Sequence, residues 1–294
     1  MGKVFSGNPG LSRIPSEELI LALPVLPNVP PASSLDGRVV AVTGGAGILG
    51  THFCRGFAEA GAAVVVIDLD LGAAERVAKD LGGRARGFAC DVSNPSSVTT
   101  CVDGVLTEFG RIDALHNNAA TKTDDVRAFF DPFEEYSLET WRKVMAVNVD
   151  GMFLMAQSVG RHMVERGGGG AILQTASIYG LVGPDDRIYE GSEYFGGPIN
   201  TPAVYAASKS AVIGLTRWLA THWARHGIRV NTLVPGGVSS GQNSRFSELY
   251  SARVPLARMA HADEMVPAAV YLLSDASSYV TGQALVVDGG LTCW

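Results

Sequence analysis

Seven short runs of apolar and β-branched residues recur along the chain, at 38–43, 63–68, 85–90, 112–117, 171–176, 228–233 and 284–288. They do not alternate apolar with polar; Ala63-Val-Val-Val-Ile-Asp68 has nothing to offer water on either face until its last residue. A strand that is apolar on both faces needs a layer above and a layer below, and a parallel sheet crossed by helices supplies both. Helical spacing fills the intervals, over 48–60, 71–81, 95–109, 138–166, 203–226 and 262–274. Pro95 behind Asn94 marks one helix start, and Gly61 and Gly110 stand where two helices stop. The expectation is a single α/β domain, doubly wound, with a seven-stranded parallel sheet and helices on both faces.

With 294 residues the chain buries a full core without a metal or disulfide staple. Residues 1–34 carry Pro at 9, 15, 24, 27, 30 and 31 and read as an extended arm outside the core, either a loose tail or a strap on a neighbouring subunit. The domain then runs over 35–294. A net charge of −6 without a basic block argues against a nucleic-acid or anionic-membrane partner. No segment reaches the roughly 18 apolar residues of a membrane span. Four scattered Cys with no CxxC pair, and no signal-peptide pattern, lead to the expectation of a reducing, cytoplasmic setting.

The first chemical signal is Thr43-Gly-Gly-Ala-Gly-Ile-Leu-Gly50. Thirty-five Gly make a three-glycine spacing common by chance, so its location carries the weight. It follows the first buried run and opens a helix, where backbone N–H groups and the helix dipole receive a pyrophosphate. Asp68 ends the second run near the ~20-residue offset of the acid that binds an adenosine ribose. Its carboxylate accepts from ribose hydroxyls and repels a 2′-phosphate, which favours NAD over NADP; the bland alternative is an N-cap for the helix at Leu71. The second signal is Tyr205-Ala-Ala-Ser-Lys209; no other Tyr has a Lys four residues on. On a helix the two share a face, and an ammonium beside a phenol moves the phenol's pKa down toward a working range. His222 and His226 also stand four apart, but no third ligand accompanies them, so no metal is expected.

From about Asp36 onward the chain resembles the short-chain dehydrogenases/reductases, single-domain enzymes of the Rossmann type. Beside the glycine loop and Tyr205-x-x-x-Lys209, Asp91-Val92 resembles the family's adenine-contacting pair, and Asn117-Asn118-Ala119-Ala120 its Asn-Asn-Ala-Gly. Asn148 and Ser177 match the family's catalytic asparagine and serine. Pro235-Gly-Gly-Val-Ser-Ser240 resembles the loop that holds the nicotinamide carboxamide, with Ser240 where Thr is usual, and Val286-Val-Asp-Gly-Gly290 the closing strand. The resemblance implies catalysis by Asn148, Ser177, Tyr205 and Lys209. It implies cofactor contacts from Gly44, Gly47, Ile48, Leu49, Asp68, Asp91, Val92, Asn118, Ala119, Tyr205, Lys209, Pro235, Gly236, Val238 and Ser240. Lys209 is expected to lower the Tyr205 pKa and touch the ribose, and Asn148 to position Lys209 through a water.

Two departures stand out. Ile48 occupies the family's middle glycine, with Gly47 before it, a spacing more like the family's epimerase-type members. Ser177 and Tyr205 are about twice as far apart as usual, so an insertion near 183–202 sits beside the active site, expected to form one wall or lid of the pocket as an irregular, partly hinged loop whose Tyr189, Tyr194 and Phe195 can pack over a ligand; the alternative is a surface loop that covers the sheet edge or joins subunits. Its Asp185, Asp186, Arg187, Glu190 and Glu193, with the polar loop Gly241-Gln-Asn-Ser-Arg245 after Ser240, suit a sugar- or polyol-like substrate, and Arg187-Ile-Tyr-Glu-Gly191 is similar to sugar and nonulosonic-acid dehydrogenases. The leading expectation is an NAD-dependent oxidoreductase of a secondary alcohol. An enzyme of apolar alcohols, a sugar-nucleotide epimerase or dehydratase, and a non-catalytic dinucleotide-binding protein stay open. Such proteins usually assemble through helices at about 138–166 and 203–226, so a homotetramer or dimer is expected.

Overall fold

The computed structural model describes residues 34–294 apart from Phe195. The arm expected over 1–34 therefore lies, except for Ser34, outside the described residues. The first half runs β1 (Val39–Thr43), α1 (Ile48–Glu59), β2 (Ala63–Asp68), α2 (Leu71–Leu81), β3 (Arg86–Ala89), α3 (Pro95–Phe109) and β4 (Ala114–Asn117). Then come α4 (Val126–Phe129), α5 (Leu138–Met145), α6 (Gly151–Arg166), β5 (Gly170–Thr175), β6 (Glu193–Tyr194) and β7 (Gly197–Pro198). The chain closes with α7 (Ala203–Trp223), β8 (Ile228–Pro235), α8 (Ser244–Ser251), α9 (Val266–Leu273) and β9 (Ala284–Val287).

The seven expected strands form one sheet in the order β3-β2-β1-β4-β5-β8-β9, every neighbouring pair parallel. Two cores result, one per face. Val39, Ala41, Val65, Leu115 and Ile172 point into a layer with α3, α6 and α7, whereas Val40, Val42, Val64, Val66 and Leu173 point into a layer with α1, α2 and α9. This alternation is why neither face of these runs is polar. β3 is the exception, an edge strand with part-exposed residues.

Three expected helices are subdivided. The stretch 138–166 is broken by a π turn, Ala146–Asp150. The turn brings Asn148 fully inside, where its Oδ1 accepts from the Thr121 N–H at 3.0 Å and its Nδ2 donates to Ser208 Oγ at 3.3 Å. The last turns of 203–226 and the first of 262–274 tighten to 3₁₀ geometry. The β6–β7 hairpin and the short helices α4 and α8 were not foreseen.

The ring of Trp223, the last residue of α7, lies against α6 where Gly160 has no side chain; a Cβ there would lie 2.3 Å from Trp223 Cη2. Gly160→Ala is therefore expected to lower stability by about 1–3 kcal/mol, in spite of alanine's better helix propensity. A lower urea midpoint would show it, and an unchanged one would show that Trp223 yields freely.

Candidate functional site

The strand order reverses between β1 and β4, and a crevice opens outside their carboxyl ends. One hydroxyl spans it: Thr43 Oγ1 accepts the N–H groups of Asn118 (3.0 Å) and Ala119 (3.1 Å), while Asn118 Nδ2 donates to the Thr43 and Gly44 carbonyls. Gly44 sits at φ +61, and a Cβ on it would stand 2.9 Å from the Ala119 backbone. A Cβ on Gly50 would stand 1.9 Å from the Gly44 carbonyl, so the first turn of α1 can lie on the loop only as glycine. The cap residue of α1 is Gly47, and no side chain caps this N-terminus. Backbone donors at a bare helix start beside a loop stripped of side chains are what a pyrophosphate requires.

Asp68 lies in this row. Its Oδ2 accepts the Ala46 N–H of the glycine loop at 3.0 Å. The cap of α2 is Asp70, which accepts from the Ala73 N–H at 3.1 Å, so capping does not account for Asp68. Asp91 and Val92 follow β3 alongside: the Cys90 N–H donates to the Asp68 carbonyl, and Asp91 Oδ1 accepts from the Ser93 N–H and hydroxyl.

The other half of the crevice is a cavity of about 310 Å³. Ile48, Leu49, Asn118, Ser177, Tyr205, Lys209, Pro235, Gly236, Val238 and Ser240 all line it, as expected from the sequence, together with Ala120, Lys122, Thr175 and Ala176. Asn148, Gly44, Gly47, Asp68, Asp91, Val92 and Ala119 do not. Asn148 stands behind the wall and touches Thr121 and Ser208 rather than Lys209.

Tyr205 and Lys209 share a face of α7, with Nζ 5.6 Å from the ring centroid. The Ser177 side chain bears on the phenol and favours its ionised form. The expected electrostatics are not found. Burial pushes the Tyr205 phenol above its ordinary range, the Ser177 hydrogen bond offsets part of that, and nearby Tyr179 adds to the rise. Lys209 is buried, its ammonium donates to the Thr175 carbonyl at 3.1 Å, and loss of hydration lowers its pKa to about 8. Aimed at a carbonyl and itself poorly solvated, this amine does not outweigh the burial of the phenol.

A second cavity of about 320 Å³ adjoins the first and shares Ile48, Lys122, Tyr205 and Ser240 with it. Three separate segments wall it: Phe129 and Phe130 after β4, the 179–202 segment, and Gln242 to Phe246 after β8. Tyr189 of the insertion lines it, whereas Phe195 and the Tyr194 side chain lie outside the description. The insertion is pinned from both sides. Arg127 Nη2 donates to the Pro198 carbonyl at 2.7 Å and Asn200 Nδ2 to the Phe130 carbonyl at 2.9 Å. On the other side Arg253 pairs with Asp185, Asn243 Nδ2 donates to the Glu193 carbonyl, and Tyr189 stacks on Phe246 at 5.6 Å. The expected hinged loop is a braced wall. Gln242 and Asn243 belong to the polar loop expected at the rim; Phe130, Tyr179, Asn200 and Phe246 were missed by sequence reasoning, although Asp125 and Asn243, which cap α4 and α8, mark the helix that ends at Phe130 and the helix that carries Phe246. His222 stacks on Trp218 and His226 accepts from Arg225; among the described residues no group of three or more His, Cys, Asp or Glu could hold a metal ion. Among the same residues no helix is long and apolar enough to cross a membrane.

Residues 44–292 match the family model described as Enoyl-(Acyl carrier protein) reductase. The chain is 38% identical over 266 residues to the D-threitol dehydrogenase of Mycolicibacterium smegmatis, covering 88% of this chain and 94% of that one. It is 37% identical over 267 residues to the 2,5-dichloro-2,5-cyclohexadiene-1,4-diol dehydrogenase of Sphingobium indicum, covering 88% and 99%. The crystal structure of a gluconate 5-dehydrogenase from Burkholderia cenocepacia J2315, in complex with NADP and tartrate, superposes with a TM-score of 0.78 at 35% identity, covering 90% of this chain and 98% of that one.

If the braces hold the wall, cutting one side should loosen it. Arg253→Gln combined with Asn243→Ala is expected to speed tryptic cleavage at the exposed Arg187 several-fold while the global unfolding midpoint changes little. Peptide mass mapping reads this, and an unchanged cleavage rate would mean that the remaining contacts suffice.

Proposed function

The chain belongs to the short-chain dehydrogenase/reductase family, and on that premise we propose that it is an NAD-dependent oxidoreductase interconverting a secondary alcohol and a ketone on a sugar- or polyol-like substrate. The observation that carries the reading is the convergence of Ser177, Tyr205 and Lys209 on one cavity that opens directly into a second, braced one.

In the oxidation direction Tyr205, as phenolate, takes the proton of the substrate hydroxyl, and Ser177 donates to the same oxygen as charge develops on it. Lys209 supplies a positive charge 5.6 Å from the centre of the Tyr205 ring, and its Thr175 contact sets where that charge stands. Asn148 is a positioning residue, tying the 121 backbone to Ser208, the neighbour of Lys209. The bound nicotinamide supplies the hydride acceptor in this direction and the donor in the other. Ketone reduction uses the same side chains, with the Tyr205 phenol giving up its proton. The relatives named above act on molecules with more than one oxygen function, and the polar Glu193, Asn200, Thr201, Gln242 and Asn243 of the outer cavity suit such a substrate. For the cofactor, Asp68 at the end of β2 and a glycine loop without Arg or Lys support NAD, although the gluconate 5-dehydrogenase was crystallised with NADP. A homo-oligomer in a cytoplasmic setting completes the proposal.

Tyr205→Phe keeps the ring and deletes the acid/base, so kcat is expected to fall by about 10²–10⁴-fold with NAD affinity nearly unchanged. Near-wild-type turnover of that variant would refute the chemistry. Because burial holds the phenol above its ordinary range, the phenolate is scarce at neutral pH. Alcohol oxidation should therefore rise with pH above 7, whereas ketone reduction, which needs the protonated phenol, should stay level until the pH passes the ordinary phenol range, as kcat/KM profiles in both directions would reveal.

Wild type is expected to use NAD in strong preference to NADP. Asp68→Ser with Leu69→Arg should shift the kcat/KM ratio toward NADP by about 10- to 100-fold. Equal use of both cofactors by wild type would remove Asp68 from the selectivity.

A further inference from the structure

A hydride passes between substrate and nicotinamide only if the ring lies against the carbon whose oxygen meets Tyr205, so the ring belongs in the inner cavity with that phenol. One wall of this cavity is the stretch 235–240 at the end of β8, where Pro235, Gly236, Val238 and Ser240 line it. Gly237 does not. It lines a separate cavity of about 90 Å³, which it shares with Tyr250. The room left for a ring beside Tyr205 and Lys209 therefore depends on what holds this stretch from its other side.

Backbone groups make three of the fastenings. The Gly236 N–H donates to the Val287 carbonyl, the Ala260 N–H to the Gly237 carbonyl and the Ser239 N–H to the Ala260 carbonyl, each at 2.9 Å. Gln242, farther along the same loop, donates to the Val238 carbonyl and accepts the Ser240 N–H. The remaining fastening is a side chain from another element. The Tyr250 hydroxyl, carried by α8, accepts the Gly237 N–H at 2.5 Å. Tyr250 is buried and its ring packs at 5.7 Å on that of Phe246, so the position of the hydroxyl is set by the helix. Gly237 is shaped to this contact: a Cβ on it would stand 2.4 Å from Tyr250 Cζ. Its φ is not positive, so the missing side chain answers to the phenol and not to backbone strain.

We propose that Tyr250 is a positioning residue for the nicotinamide end of the dinucleotide, its hydroxyl fixing through Gly237 where the 235–240 wall stands. Tyr250 lines neither cavity of the site, so its effect on a bound molecule has to pass through that wall. The inference rests on the reading of the inner cavity as the nicotinamide half of an NAD site. Deleting the hydroxyl leaves a buried N–H without a partner, and the wall moves to satisfy it or keeps its place at a cost. The glycine loop, Asp68 and Asp91 lie over the other half of the sheet and are untouched by the change.

The test measures dissociation constants for NADH, by its fluorescence, and for ADP-ribose, the same dinucleotide without its nicotinamide, by calorimetry. Tyr250→Phe keeps the ring on Phe246 and removes the acceptor. Its Kd for NADH is expected to rise about 3- to 30-fold, while its Kd for ADP-ribose changes by less than about twofold. Gly237→Ala, which pushes the wall off the phenol from the opposite side, should show the same selective loss. Retained ADP-ribose binding also reports that each variant is folded. Unchanged NADH affinity in the folded variants would overturn the inference. Equal losses on the two ligands would overturn it as well, since they would make Tyr250 a general support of the fold. Wild type that binds neither ligand overturns instead the underlying reading as an NAD-dependent protein.

Discussion

The Thr43 hydroxyl is the fastening on which the site depends. It accepts two consecutive backbone N–H groups from the far side of the point where the strand order reverses. Parallel strands end together at one edge of the sheet, and the loops leaving β1 and β4 there go to opposite faces. Without a cross-tie the crevice between them would be free to spread. With it, the glycine loop and the Asn118 turn stand at a set separation, and the missing side chains at Gly44 and Gly50 keep that separation open to a backbone-held phosphate.

Beyond this tie the molecule divides by task along the same edge. Over β3, β2 and β1 the exposed groups are backbone donors and carboxylates: the bare start of α1, Asp68 and Asp91. Over β5 and β8 the groups that line the cavity, Lys209 and Ser177 among them buried, are hydroxyls, an amine and a phenol. α7 joins the two by carrying Tyr205 and Lys209 on one face, and the π turn carries the buried Asn148 into contact with Ser208, the residue before Lys209 on the same helix. Rigidity of this order is what a site needs when its groups must stay within a few tenths of an ångström of a reactive geometry.

Much of this was readable from residues alone, and the reason is physical. Runs such as Ala63–Asp68 are buried on both faces, so they cannot hide what they are, and the loop after β1 and the Tyr205–Lys209 pair are local motifs whose spacing survives folding. Less legible were features that depend on distant partners. The Tyr205 phenol is raised rather than lowered because the assembled fold buries it, and Lys209 turns its ammonium to the Thr175 carbonyl, a contact between residues 34 apart in sequence. The Gly-rich insertion looked hinged since its own composition is loose, while its bracing comes from Arg127, Asn243 and Arg253. The helices α4 and α8 are too short for a periodic signal and announce themselves only by their caps, Asp125 and Asn243.

The three-segment wall of the outer cavity has a consequence for how such a protein can diverge. Asp185 with Arg253, Tyr189 with Phe246 and Asn200 with the Phe130 carbonyl are each contacts between different stretches of chain. Contacting residues change non-additively, so a substitution on one stretch alters what is tolerated on another. Substrate range would then shift in correlated steps, by paired replacements across the wall, whereas the dinucleotide half, which shares few of these contacts, can stay as it is. Recombination that swapped the insertion alone would break the set; exchanging it together with the segments after β4 and β8 would carry the pocket across intact.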